Sequence, residues 1–463
     1  MWKPTLLSSD GSIYKQIAAA LERDIEAGTL KAGDQLPTLK ELSATLEVTP
    51  GTINRAYELA HRMGLIEGEV GRGTFVLGKD EITTSPKLNP LQLPPLETDE
   101  PIDLSIVKAN TQLQEPYIRD ALLEMANSDA LNGLLDYTPD GGLSIHRQAG
   151  AAWMLKAGLA ANPDQVILTA GAQHGLFLAI HALTAPNDLI FCESLCYPGV
   201  ASVASSLGRR LQGIHVDSEG MCANALRDAC LKERPALVIC IANCQNPTLS
   251  IMSAERRSNI AAIAREFDIK LVDDDLYGFL AESTAPPLAS FAPERSLYLT
   301  SLSKSVLSTV RLGYIHSPIE WLTKLTSSVK TSIWMVSPIA AQLATQLIVN
   351  GKAHALSKAQ REEALVRQKI AAELLGHFEF KSYPHAFHIW LKLPRHWPSG
   401  EQFAAIARSH KIIVAPGNTF SMTKENEGNK FIRVGLMGPT RERLRFVLAK
   451  LAGLLEAKDT QWL

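Results

Sequence analysis

The sequence predicts an α/β protein: a mostly parallel sheet with helices on both faces and a small C-terminal α+β subdomain, preceded by a helix-turn-helix with a hairpin wing. Three observations predict it. From about residue 102 onward, helical patterns alternate with the short apolar runs QVILTA, DLIFCES, ALVICIAN, IKLVDDD, SLYLTSLS and LGYIHS. That alternation is the signature of strands joined by crossover helices. Just ahead of it, Pro86, Pro90, Pro94, Pro95 and Pro101 crowd residues 79–101. Prolines cannot donate backbone hydrogen bonds and bias the preceding residue to extended geometry, so this stretch reads as a semi-rigid linker. Residues 1–78 carry helical repeats with a short turn and a glycine hairpin. The expected units are 1–78, 79–101 and 102–463, with the C-terminal subdomain starting near 340.

Composition agrees. A chain of 463 residues exceeds one compact core. Hydrophobic residues at 46% and charged residues at 20% exclude wholesale disorder. No apolar run reaches the roughly 18 residues of a membrane span, and MWKPTLLSSDGS does not read as a signal peptide. The net charge of −2 excludes a global polycation. The 6 cysteines are no disulfide framework. Cys192 with Cys196, and Cys240 with Cys244, are spaced C-x3-C on apolar segments; buried reduced thiols are expected there rather than a metal site. A cytoplasmic setting with no membrane partner follows as an expectation.

In the N-terminal unit, Ile13, Ile17, Leu21 and Ile25 recur at helical spacing and Gly28 marks a stop. Thr38 and Glu41 form a capping box ahead of a Leu39, Leu42, Leu46 stripe. A second helix opens with Thr49 as cap and Pro50 in the first turn, with Ile53, Tyr57 and Ala60 facing the core and Gly64 as its end. Thr52, Asn54 and Arg55 lie near its start on the other face. LIEGEVGRGTFV reads as a hairpin with Gly71-Arg72-Gly73 at the tip, placing Arg72 to enter a minor groove or meet a phosphate. This is helix-turn-helix geometry. A generic three-helix domain for protein contacts is the alternative, and charge favours it: residues 1–78 hold 8 Lys+Arg against 10 Asp+Glu. A DNA face must then come from local clustering of Lys40, Arg55, Arg62 and Arg72, used twice in a dimer.

The order Tyr14-x-Gln16-Ile17, Gly28-x-Leu30-x-x-Gly33-x-x-Leu36-Pro37, Thr52-x-x-x-Ala56-Tyr57 and Gly71-x-Gly73-Thr74-Phe75-Val76 resembles the GntR winged helix-turn-helix. The resemblance implies double-stranded DNA as partner, with Thr38, Lys40, Thr49, Thr52, Arg55, Arg72 and Gly73 as contacts. Thr38 and Lys40 stand where that family usually has Ser and Arg, and Pro50-Gly51 replaces an Arg-plus-polar pair, so the base-reading pattern is this chain's own.

In the large unit, Lys304 follows the strand ending Thr300-Ser301-Leu302-Ser303. Ligands of open α/β sheets bind outside the carboxyl ends of strands. A lysine there can have a lowered pKa and condense with an aldehyde, while Ser301, Ser303 and Arg311 suit a phosphate. A surface lysine after a strand is the alternative. IKLVDDDLYGF ends a strand in acids, one of which could hold a pyridine nitrogen protonated. QVILTA opens through Gly171-Ala172-Gln173 into a helix, an anion site. Tyr197 could stack on a planar ring, and Asn246 follows a strand. His385 and His388 are expected to be structural, and the charged helix around Arg361–Arg367 a solvated face.

A phosphate turn, tyrosine, asparagine, acid-x-x-tyrosine, then S-x-S-K with an arginine seven residues on: this order resembles fold-type I pyridoxal-phosphate aminotransferases of class I, over residues 102–455. The resemblance implies pyridoxal 5′-phosphate as cofactor, with Lys304 as catalytic residue forming the internal aldimine. It implies Asp274 at the pyridine nitrogen, Tyr277 and Asn246 at the ring oxygen, and Tyr197 stacked on the ring. Ala172, Gln173, Ser301, Ser303 and Arg311 would hold the phosphate, Tyr137 would reach the neighbouring subunit's phosphate, and Arg433 would bind an effector or substrate carboxylate. Leu249 stands where the family usually has the glycine of N-P-T-G, and Leu195 where a proline precedes the tyrosine.

The two resemblances joined by a proline-rich linker are similar to the MocR subfamily of bacterial regulators. What that implies is a head-to-tail homodimer that senses an amino acid, an amine or the cofactor itself through Lys304 and changes its grip on DNA. The alternative is a working aminotransferase with an accessory DNA-binding domain.

Overall fold

The computed structural model of the chain describes residues 2–5, 13–62, 65–69, 73–76, 100–281, 285–423 and 425–457. The chain divides into two compact units near residue 97.

The first unit has three helices, α1 (Ile13–Glu26), α2 (Leu39–Leu46) and α3 (Pro50–Arg62), and a small antiparallel sheet. The sheet runs in the order β1 (Gln35–Leu36), β3 (Gly73–Val76), β2 (Ile66–Glu69). Ile17, Leu21, Leu42, Ile53, Ala56 and Ala60 build its core. The Tyr57 hydroxyl donates to the Pro37 carbonyl at 2.8 Å, which lets a phenol be buried without an orphaned donor. Both arms of the Thr38–Glu41 capping box are present. Two expected core positions face solvent instead: Ile13 at 45% exposure and Leu39 at 36%. Each opens its helix, in the turn before the helix reaches the body it packs on. Gly71, Arg72, Gly64 and the linker prolines Pro86 to Pro95 lie outside the described residues, and so does the side chain of Arg62.

The second unit is built on a seven-stranded sheet. Its strands are β4 (Val166–Thr169), β5 (Leu189–Glu193), β6 (Arg210–Ile214), β7 (Leu237–Cys240), β8 (Lys270–Asp274), β9 (Ser296–Ser301) and β10 (Gly313–His316). They lie in the order β4-β10-β9-β8-β7-β5-β6, parallel throughout except that β10 runs against both neighbours. The strands β4, β5, β7 and β9 are buried end to end, as a sheet covered on both faces requires. β6 escaped the sequence pattern because it is an edge strand, alternately exposed and half-buried, with no apolar run.

The C-terminal subdomain is an antiparallel sheet in the order β11 (Phe380–Lys381), β12 (His388–Lys392), β14 (Phe431–Gly435), β13 (Ala415–Pro416). Its core takes in Leu104, and Ile102–Asp103 pairs in parallel with Ile412–Ile413. The residues just after the linker thus fold with the C-terminal subdomain. Only His388 of the two histidines lies in a strand, and both it and His385 donate a ring N–H to backbone carbonyls, of Pro247 and Arg361 respectively.

The expected solvated face at Arg361–Arg367 is corrected. In the helix Lys352–Leu375, Arg367 is 1% exposed and pairs with Glu363 at 2.6 Å, and it donates to the carbonyls of Leu436 and Pro439. A long helix between two layers is covered on more than one face, so charge here is paired inside rather than solvated. Among the described residues no helix is long and apolar enough to cross a membrane.

Candidate functional site

The carboxyl ends of β4, β8 and β9 open into one cleft of about 250 Å³. Ten of the cofactor residues expected from sequence line it. They are Ala172, Gln173, Tyr197, Asn246, Asp274, Tyr277, Ser301, Ser303, Lys304 and Arg311, with the expected carboxylate residue Arg433 as an eleventh.

One end of the cleft is an anion cradle. The turn after β4 passes through Gly171 at φ +80° into α4 (Ala172–Leu183), presenting the first amides of a twelve-residue helix. A Cβ at Gly171 would meet the Arg311 guanidinium at 2.9 Å, so the arginine is seated against the turn itself. Ser301 and Ser303 are buried beside it with their hydroxyls 3.0 Å apart.

The far wall is acidic and dry. Asp274, at the end of β8, is 4% exposed, and its Oδ1 has no hydrogen-bond partner among the described residues. Burial, and then the carboxylates of Asp275, Glu193 and Asp273, push its pKa well above the ordinary range. Asp275 is by contrast satisfied, accepting from Asn243 at 2.9 Å and Tyr298 at 2.7 Å. Of the three consecutive acids, Asp274 alone lines the cleft.

Lys304 donates to the Val107 carbonyl. Burial first, then Arg433 and Arg311, lower its pKa to about 8. The neutral amine, the form that attacks carbonyl carbon, is therefore accessible near neutrality. Tyr197 caps the helix α5 (Pro198–Ser206). Its ring lies so close to Gly199 that a Cβ there would sit 2.2 Å from it, which explains glycine at that position. Burial raises the Tyr277 phenol.

Arg433, on β14, reaches in from the C-terminal subdomain. One arm donates to Asn246 Oδ1 at 2.7 Å and the other to the Ser105 carbonyl at 2.6 Å. Its guanidinium lies 4.6 Å from the Phe420 ring centre. Tyr137 is not in this cleft; it is 75% exposed and edge-on to Trp334.

Sequence reasoning missed the segment 105–107, which supplies the carbonyls that hold Arg433 and Lys304. Backbone acceptors leave no residue-type signal. Leu249, in the glycine position, keeps a left-handed φ of +62° while 7% exposed.

In the first unit, Lys40 and Arg55 are exposed, and their side chains make no hydrogen bond among the described residues. Thr38 is already engaged, donating to Glu41 at 2.8 Å. Thr49 and Thr52 share a hydrogen bond at 3.0 Å. Gly73 sits at φ +119°, where a Cβ would strike Gln35 at 2.5 Å, so its glycine is a structural requirement.

A lysine, a buried acid and an anion cradle at strand ends define an aminotransferase-type domain, and the first unit is a winged helix-turn-helix. Residues 101–451 match the family described as aminotransferase class I and II, and the chain belongs to that family. Residues 13–76 match the bacterial regulatory proteins of the gntR family, and together the two domains are the make-up of the MocR subfamily. The uncharacterized HTH-type transcriptional regulator YdeF of Bacillus subtilis is 27% identical over 456 residues, 98% of this chain and 97% of that protein. The vitamin B6 salvage pathway transcriptional repressor PtsJ of Salmonella typhimurium is 25% identical over 437 residues, 91% of this chain and 97% of that one. Among solved structures, an archaeal alanine:glyoxylate aminotransferase superposes with a TM-score of 0.72 at 23% identity, covering 77% of this chain and 91% of that one; this likeness concerns the fold.

Proposed function

We propose that the chain is a cytoplasmic DNA-binding transcription regulator whose large domain holds pyridoxal 5′-phosphate and reads a small amino acid or amine. The observation that carries this is the joining of a gntR-type reader to a cleft with lysine, buried acid and anion cradle in one chain. The same two-domain span recurs in HTH-type regulators along nearly their whole length.

The residues fit the cofactor. Asp274 Oδ1 is a buried acceptor lacking a donor, as a protonated ring nitrogen would supply. The α4 amides of Ala172 and Gln173, with Ser301, Ser303 and Arg311, suit the phosphate. Tyr197 suits the ring face, and Asn246 and Tyr277 the ring oxygen. Bound there, the cofactor supplies an aldehyde carbon that exchanges amines and a ring that accepts electron density.

Lys304, whose amine is lowered to about 8, would hold the group at its aldehyde end and would keep or pass a proton at Nζ. Arg433 exchanges Asn246 and Ser105 for an incoming carboxylate, drawing β14 and the C-terminal subdomain onto the cleft. A ligand that favours the closed form shifts the population by its differential affinity, and in a head-to-tail homodimer this would re-space the two readers. The exposed Tyr137 suits a reach into the partner's cleft.

The test is a visible absorption titration of the cofactor-loaded chain with amino acids and amines, run beside operator binding. A band that shifts and stays, with altered operator affinity, supports the sensor. A band that falls and returns on adding a keto acid, with operator binding unmoved, would establish the second reading, a working aminotransferase.

A further inference from the structure

Ser301 lines two cavities. One is the Lys304 cleft; the other, on the far side of the end of β9, is about 510 Å³. The far cavity lies between the sheet domain, which supplies Trp153, Lys156 and Ser305, the first turns of the helix Lys352–Leu375, which supply His354 and Lys358, and the C-terminal subdomain, which supplies His385 just ahead of β12.

Three features suit a ligand. Ser305 is fully buried, and its hydroxyl has no partner among the described residues although it lines a cavity. A buried hydroxyl without a partner is costly, and a ligand acceptor or donor would remove that cost. Charge on the wall is cationic on balance. Lys156 makes no ion pair or hydrogen bond among the described residues; Lys358 faces Glu362 at 3.8 Å; the other lining acid, Asp275, is already bonded to Asn243 and Tyr298. The apolar part of the wall is aromatic: Trp153, edge-on to His354 at 6.5 Å, with Phe279.

We propose that this cavity is a second ligand site, taking a flat-ringed organic anion whose charged end meets Lys156 and Ser305 and whose ring packs on Trp153. Because it bridges the two subdomains and shares Ser301 with the cofactor cleft, its occupant is placed to bias domain closure. Only that coupling rests on the regulatory reading; binding does not.

The test uses the full chain loaded with pyridoxal 5′-phosphate, with 4-fluorobenzoate as probe followed by fluorine NMR and neutral 4-fluorobenzyl alcohol as control. Saturable binding of the benzoate is expected, weaker by at least about tenfold in Lys156→Glu and for the alcohol. Ser305→Ala should weaken the probe about threefold yet raise the melting temperature of the probe-free chain, because it removes an unsatisfied hydroxyl. No saturation, or unchanged affinity in Lys156→Glu, would overturn the site. So would a Ser305→Ala chain that melts lower and binds the probe as before, since water would then satisfy that hydroxyl. Failure to take up the cofactor sinks the functional reading alone, because the titration runs equally on the unloaded chain. A probe that binds only the unloaded chain is in the Lys304 cleft, and the proposal falls.

Discussion

Arg433 is held by Asn246: the guanidinium donates to the amide oxygen at 2.7 Å, across the junction of the two subdomains. The residue suited to an effector carboxylate is thus latched to one suited to the cofactor. A carboxylate ligand must break this bond and the one to Ser105, whereas an amine lacking a carboxylate need not. Arg433→Ala should weaken a carboxylate-bearing ligand by about 2 kcal/mol, roughly thirtyfold, and leave its decarboxylated analogue nearly unchanged. Arg433→Lys should recover little, because the two-armed fork is lost. Calorimetry on the pair of ligands checks this. Equal losses for both would make Arg433 structural.

Lys304 gives two pH-dependent expectations. Its amine is lowered to about 8, so the rate of its condensation with an aldehyde should rise up to about pH 8 and then level. An unperturbed lysine would still be rising towards 10.5. Borohydride trapping and mass spectrometry across pH read this directly. The stability sign follows from the same values. Between about 8 and 10.5 the unfolded chain binds the proton that the folded chain has released, so stability rises with pH there. Below that window the buried charge is a standing cost. Lys304→Met should therefore stabilise the cofactor-free chain at pH 7 by about 1–3 kcal/mol while abolishing covalent capture. Destabilisation in that variant would remove burial as the cause.

Much of the cleft was legible because its chemistry needs particular side chains at strand ends. Lys304, Asp274, Arg311 and the serines sit in short contiguous stretches, and six of the seven sheet strands are apolar runs. What escaped was set by the backbone or by tertiary cover. Val107 and Ser105 act through carbonyls, which any residue offers. β6 is an edge strand. Arg367 looks solvated in sequence and is enclosed in the fold, since no helical period reveals a second buried face. Leu249 is instructive: sequence shows the missing glycine, but only the structure shows that the left-handed turn is kept. That conformation costs roughly 1–2 kcal/mol for a non-glycine residue. Burying the leucine side chain offsets about as much.

In the DNA-reading unit the geometry separates roles that sequence had pooled. Arg55→Ala should weaken operator binding by about 1–3 kcal/mol if Arg55 reads a base, and relax specificity at one position. Lys40→Ala should weaken all sequences alike and lower the salt slope by about 1. Thr38→Ala should act mainly on folding, costing about 1 kcal/mol through its cap on α2. Thr38→Ser should restore it. Mobility-shift titrations at several salt concentrations, beside thermal melts of the same variants, separate the three. A Thr38→Ala chain that melts normally but loses the operator would return Thr38 to the interface.

Glu363 joins the buried Arg367 at 2.6 Å and the half-exposed Arg441 in a triad linking the helices Lys352–Leu375 and Arg441–Glu456. Burial alone would raise the Glu363 carboxyl, but hydrogen bonds from Arg441 and Arg367 outweigh it and hold the pKa below the ordinary 4.5. The folded chain therefore releases this proton at lower pH than the unfolded chain. The stabilisation is fully present above the ordinary value and is lost as pH falls through the depressed one. Glu363→Gln keeps the shape but leaves Arg367 buried without a counter-charge, at a cost of about 3–5 kcal/mol. The double variant Glu363→Gln, Arg367→Met should recover most of that, because the uncompensated charge is gone. Melts at pH 7 and pH 4 check both steps. The gap between the native chain and the double variant should narrow at the lower pH. A gap that stays constant would mean that the triad holds the helices by shape rather than by charge.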